Sequence, residues 1–138
     1  MHFFLNIEPH TVTQQMHRVG KRKDGTIYFY EDRSLREART LLRHELSRIQ
    51  KETIHEGPVR LVVKWLFPRG KHPDGAYKTS KPDTDNLNKM LKDEMTKMGF
   101  WADDAQVASE IIEKFWAEQP GIFIAVDSLE RKDDYGFY

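Results

Sequence analysis

The chain has 138 residues, 38% hydrophobic and 32% charged, with 22 basic and 22 acidic side chains and a formal net charge of zero. That length suits one domain with a real core, and eight Phe, five Tyr and three Trp supply bulk that disordered chains lack. The lack of cysteine excludes disulfides, zinc–thiolate sites and thiol nucleophiles. No apolar run approaches the length of a membrane span, and the segment 1–8 has neither the basic start nor the long apolar stretch of a signal peptide. A soluble, cytoplasmic protein is expected.

In chain order, Phe3, Leu5 and Ile7 alternate with Phe4, Asn6 and Glu8 as in a strand, which Pro9 ends. A polar loop follows to Gly25, and its Arg18, Lys21, Arg22 and Lys23 form a first basic cluster. Asp24-Gly25 signals a turn into a short β-prone run at 26–30. Ser34-Leu35-Arg36-Glu37 has the form of a capping box, and Leu35, Ala38, Leu42, Leu46 and Ile49 recur at helical spacing to Gln50. After Gly57-Pro58, the alternation of Val59, Leu61, Val63, Trp65 and Phe67 marks the clearest strand, expected to be central.

Three prolines and two glycines make 68–82 an irregular, mobile loop, and it carries a second basic cluster of Arg69, Lys71, Lys78 and Lys81. Leu87, Met90, Leu91, Met95 and Met98 define the buried face of a second helix over 85–98, stopped by Gly99. Two more strands, at 107–117 and 122–129, are expected to form a β-hairpin through Glu118-Gln119-Pro120-Gly121. The order of elements predicts an α+β fold: a mixed sheet of about four to five strands with two main helices packed on it. One domain is expected over 1–130, with a charged and aromatic tail at 131–138.

The chemistry is concentrated in Lys81-Pro82-Asp83-Thr84-Asp85-Asn86-Leu87-Asn88-Lys89 and Gly99-Phe100-Trp101-Ala102-Asp103-Asp104. Clustered carboxylates suit a hard divalent cation, and Mg²⁺ is commonly held by one or two of them together with phosphate oxygens. Asp83 and Asp85 could instead cap the second helix. Lys89, one turn after Asp85 and outside the apolar stripe, could form an i,i+4 ion pair or offset charge on a phosphoryl transition state. Asp103 and Asp104 are either turn formers or further ligands. A helix of this length spans about 20 Å, so spacing alone does not bring Asp104 back to Asp83.

An EF-hand loop opening at Asp83 fails, because Leu87 would fall at its fifth, ligand position and Asn88 at its glycine position. The six histidines, His44 on the first helix among them, lack zinc spacing, and no glycine-rich phosphate loop is present. Phe100-Trp101 reads as a hydrophobic plug over the helix end.

Taken together, Lys81-Pro82-Asp83-Thr84-Asp85-Asn86-Leu87, Lys89 and Gly99-Phe100-Trp101-Ala102-Asp103-Asp104-Ala105-Gln106-Val107 strongly resemble RusA-type Holliday-junction resolvases, and the order of elements is similar over about 1–130. The resemblance implies that Asp83, Asp85 and Asp104 are catalytic, metal-binding acids, that Asp104 closes on the other two, and that Lys89 is needed for cleavage. Asp103 is a second-choice ligand beside Asp104. The resemblance further implies a homodimer using Mg²⁺ or Mn²⁺ to resolve four-way DNA junctions by paired, symmetric nicks. Arg69, Lys71, Lys78 and Lys81, with Arg18, Lys21, Arg22 and Lys23, would hold flanking phosphates. The amino-terminal loop, 11–30, is similar to that of phage-borne relatives. The competing classes are a nuclease for branched DNA in general and a DNA-binding module without catalysis; the complete set of three acids and a lysine favours cleavage.

Overall fold

The structure, a computed structural model, describes residues 1–11, 17–31, 33–51 and 53–129, with the backbone alone at 17–18 and 29–31. The elements are β1 (His2–Leu5), β2 (His17–Lys21), β3 (Ile27–Glu31), α1 (Arg33–Ser47), β4 (Val59–Pro68), α2 (Thr84–Lys97), a 3₁₀ turn at Asp104–Gln106, β5 (Val107–Ala117) and β6 (Gly121–Ser128). Four strands form a mixed sheet in the order β1-β6-β4-β5, and β2 and β3 form a separate two-stranded ribbon. With its two helices this is the expected α+β architecture.

Strand β4 organises the core. Val59, Leu61, Val63, Trp65 and Phe67 are buried on one face, and they join Leu35, Leu42 and Leu46 of α1 and Leu87, Met90, Leu91 and Met95 of α2 in a single apolar cluster. As expected β4 is central, antiparallel to β6 and parallel to β5. That arrangement corrects the expected β5–β6 hairpin, since the two strands lie on opposite sides of β4. The reason is topological. Helix α2 serves as the crossover that a parallel β4–β5 pair requires, and the remaining edge of β4 is left to β6.

The helix ends add one small departure and one agreement. α1 starts at Arg33, one residue before the Ser34 of the expected capping box. Glu37 accepts from Arg33 Nε at 3.0 Å, an i,i+4 pair across the first turn. α2 ends as expected at Gly99, whose φ of +80° permits a Schellman close: Gly99 N donates to Thr96 O and Phe100 N to Met95 O, each at 3.1 Å. Phe100 and Trp101 are buried behind it, and Trp101 Nε1 donates to Thr96 Oγ1 at 2.7 Å.

Two features lie beyond the reach of periodicity. Strand β2 falls within the stretch expected to be loop, because Val19 is its only large apolar residue; its turn is closed by Asp24 Oδ1, which accepts from Thr26 N at 3.0 Å and Thr26 Oγ1 at 2.7 Å. The loop after β4 is irregular but is secured along β5, where Lys78 N donates to Lys114 O at 3.0 Å and Trp116 N to Ala76 O at 2.8 Å. The tail at 131–138 lies outside the described residues. Among the described residues no helix is long and apolar enough to cross a membrane.

Between the helices sits a polar anchor. Glu94 of α2 is fully buried and accepts from Arg43 of α1 at 2.7 Å and 3.2 Å, with Lys97 Nζ at 3.4 Å and Arg39 Nε at 4.0 Å. Burial pushes its carboxyl up, but the Arg43 hydrogen bonds and the charges of Lys97 and Arg43 outweigh it, and Glu94 is held below the ordinary carboxylate range.

Candidate active site

Asp83 is the N-cap of α2, in an extended conformation (φ −71°, ψ 149°). Its carbonyl accepts from Leu87 N at 3.1 Å, yet its carboxylate makes no capping bond. The helix therefore uses the backbone of Asp83 and leaves the acid idle. Asp85 follows in the first turn, where the helix dipole favours negative charge. Lys89 lies one turn further, exposed. Among the described residues no hydrogen bond or ion pair engages the side chains of Asp83, Asp85, Lys89 or Asp104. The Asp85–Lys89 pair, the purely structural use of those residues, is not formed.

The two adjacent acids after α2 separate in role. Asp103 caps the 3₁₀ turn, accepting from Ala105 N at 2.9 Å, while Gln106 Oε1 accepts from Asp103 N at 3.0 Å. Gln106 Nε2 then reaches His55 O and Gly57 O, both at 2.9 Å. Asp103 thus holds the turn through Oδ1, while the Asp104 carboxylate is unengaged among the described residues; both are exposed at a groove of about 380 Å³ lined also by Asp93, Thr96 and Lys97.

One chain does not bring the three acids together. Asp83 and Asp85 stand at the start of α2 and Asp104 beside its last turns, and the 14 residues between span about 20 Å. Among the described residues no three His, Asp or Glu side chains are placed to share a metal ion. Asp83 and Asp85 nonetheless fit a hard divalent cation: both are unengaged oxygen donors, and such an ion needs only one or two carboxylates beside phosphate oxygens.

The basic residues also divide. Lys78 is buried, its Nζ 2.6 Å from Ser80 Oγ, 4.3 Å from the Trp116 ring centre and 5.1 Å from that of Phe67. Desolvation, then the neighbouring Lys114 charge, lowers its pKa, so this lysine anchors the loop and is not placed to meet a phosphate. Arg69 is ion-paired with Glu118 and donates to His72 O at 3.1 Å. Lys71 and Lys81 are exposed, as are Lys21 and Lys23 at the β2–β3 turn, where Arg22 lies 4.8 Å from the Tyr28 ring centre. The Arg18 side chain is outside the described residues. Sequence reasoning missed Lys114 of β5, whose Nζ donates to Ser80 O at 2.8 Å and Pro82 O at 2.7 Å. Nothing in the alternation of β5 sets that lysine apart from a solvent-facing one.

The crossover helix of the mixed sheet thus opens on two idle carboxylates and an idle lysine, with exposed Lys71 and Lys81 in the loop before it. The chain belongs to the RusA endodeoxyribonuclease family, which it matches over residues 8–127. It is 32% identical over 107 residues, 76% of this chain and 80% of the relative, to the crossover junction endodeoxyribonuclease rusA of Lactococcus phage r1t. It is also 32% identical over 92 residues, 58% of this chain and 64% of the relative, to the uncharacterized protein YqaN of Bacillus subtilis strain 168.

Proposed function

We propose that this chain is a divalent-metal-dependent endodeoxyribonuclease that cuts four-way DNA junctions by paired, symmetric nicks as a homodimer. The observation that carries the reading is that Asp83, Asp85, Lys89 and Asp104 are all exposed and unengaged among the described residues. Asp83 and Asp85 would hold Mg²⁺ or Mn²⁺, with Asp104 joining them from a second copy. The location of the acids at opposite ends of α2 supports that division: two α2 helices running antiparallel about a two-fold axis would set the start of each beside the end of the other. When bound, the ion would lower the pKa of an attacking water and offset charge on the leaving 3′-oxygen.

The chain's own groups supply the rest. Lys89 offsets negative charge on the phosphate as it becomes pentacovalent. Lys71, Lys81 and the ribbon residues Lys21, Arg22 and Lys23 hold neighbouring phosphates and set the strand's position without reading its bases. A two-fold pair of sites matches the two equivalent strands of a four-way junction, and the name of the phage relative points to the same substrate.

Labelled four-way, flapped and linear DNA, incubated with and without Mg²⁺, tests the reading. Paired nicks are expected in the junction with the metal and none with chelator. Asp83→Asn should abolish cleavage and spare junction binding; full nicking by that variant would refute the assignment, and equal cutting of flaps would widen the substrate class to branched DNA. Mixing inactive Asp83→Asn and Asp104→Asn chains tests the shared site. Reassortment leaves half of the dimers mixed, each with one intact site, so about a quarter of wild-type nicking should return. No recovery, with exchange of chains verified, would place each site within one chain.

A further inference from the structure

We propose that Lys114 is the positioning residue of Asp83, its ammonium fixing the backbone from which that carboxylate projects. The inference rests on the reading of Asp83 as a functional acid. Lys114 stands on β5, and its Nζ donates to the carbonyls of Ser80 at 2.8 Å and Pro82 at 2.7 Å. The second carbonyl belongs to the peptide unit that joins Pro82 to Asp83, so holding it sets the direction in which the Asp83 Cα leaves the loop. On the other flank the Asp83 carbonyl accepts from Leu87 N at 3.1 Å. The main chain is gripped on both sides while the carboxylate has no partner among the described residues. A fixed backbone beneath an idle acid is what a preorganised ligand requires.

A lysine that merely tied a helix to the sheet would resemble Lys92 of α2, which pairs with Glu110 of β5 at 2.6 Å. Lys114 has no carboxylate partner among the described residues and directs its charge at two carbonyls instead. The same short segment is held a second time, because Lys78 Nζ donates to Ser80 Oγ at 2.6 Å from its seat between Phe67 and Trp116. An ammonium suits this role, since it is a compact charge with three donors, able to serve two carbonyls that converge on one point.

The test compares Lys114→Met, Lys114→Gln, Lys114→Arg and Lys92→Met with wild type in the full chain, with a thermal melt of each. Mn²⁺ binding is read from the electron paramagnetic resonance signal of the free ion, and cleavage from single-turnover reactions on a four-way junction. Lys114→Met should keep wild-type junction affinity, lose about 10²-fold in cleavage rate and bind Mn²⁺ about 10–100-fold more weakly. Lys114→Arg should recover most of both losses, and Lys92→Met should match wild type in both while melting at a lower temperature. If Lys114→Met does not fold, Lys114→Gln, which reaches at most one of the carbonyls, carries the same expectation with a smaller loss.

Wild-type Mn²⁺ binding and cleavage in a Lys114 variant that melts early would overturn the proposal, as would equal losses in Lys92→Met. A wild-type chain that neither binds Mn²⁺ nor cuts branched DNA would instead refute the metal-nuclease reading, and the proposal with it.

Discussion

Arg43→Ala should destabilise this protein by about 2–3 kcal/mol through the carboxylate it leaves behind. Glu94 is fully buried while Arg43 is 45% exposed, so the variant removes the accessible partner and strands the inaccessible one. Stranding one member of a buried pair costs about 3–5 kcal/mol. Two features reduce that here: Lys97 Nζ at 3.4 Å and Arg39 Nε at 4.0 Å still face Glu94, and the vacated space admits water. Urea unfolding at neutral pH, followed by tryptophan fluorescence, measures the change, and the melting temperature should fall by about 6–10 °C for a chain of this size.

The pH dependence gives an independent check. Glu94 titrates below its ordinary range in the folded protein, so its contribution is complete above that range and is lost as pH falls through the folded pKa. Without Arg43, burial is opposed by fewer charges and the downward shift of Glu94 is reduced, so the variant loses less stability in acid than wild type does. The stability gap between wild type and Arg43→Ala should therefore narrow from neutral pH to about pH 3. A loss below about 0.5 kcal/mol at neutral pH, or a gap that does not change with acid, would refute the reasoning. The pair matters for function because Glu94 falls on the opposite side of α2 from Asp85 at about 3.6 residues per turn, and pinning it inward turns Asp85 outward.

Two further outcomes follow from other parts of the molecule. Lys21→Ala and Lys23→Ala should each weaken junction binding and lower the slope of log affinity against log salt by about one, whereas Lys78→Ala should leave that slope unchanged and lower the melting temperature, since its ammonium is buried between Phe67 and Trp116; an altered slope for Lys78→Ala would show that it meets phosphate. His10 packs edge-on against Trp65, its Nε2 buried without a partner among the described residues, and desolvation lowers its pKa to about 4. Its neutral form is favoured by folding, so it contributes about 3 kcal/mol above the ordinary histidine pKa, and that is lost as pH falls from about 6.5 towards 4. An NMR titration midpoint for His10 above pH 6 would contradict this.

The sequence alone determined the elements whose signals are local. The alternation of β4, the apolar stripe and glycine stop of α2, and the plug of Phe100 and Trp101 all follow from periodicity and turn chemistry within a few residues. The candidate acids and Lys89 could be picked out in the same way, because their spacing is a property of the chain. Tertiary structure decided what depends on pairing at a distance. It placed β5 and β6 on opposite sides of β4, buried Lys78, paired Glu94 with Arg43, and committed Asp103 to a cap while leaving Asp104 unengaged among the described residues. It also set Asp83 and Asp104 at opposite ends of α2, because a crossover helix between parallel strands must run the length of the sheet before the next strand begins.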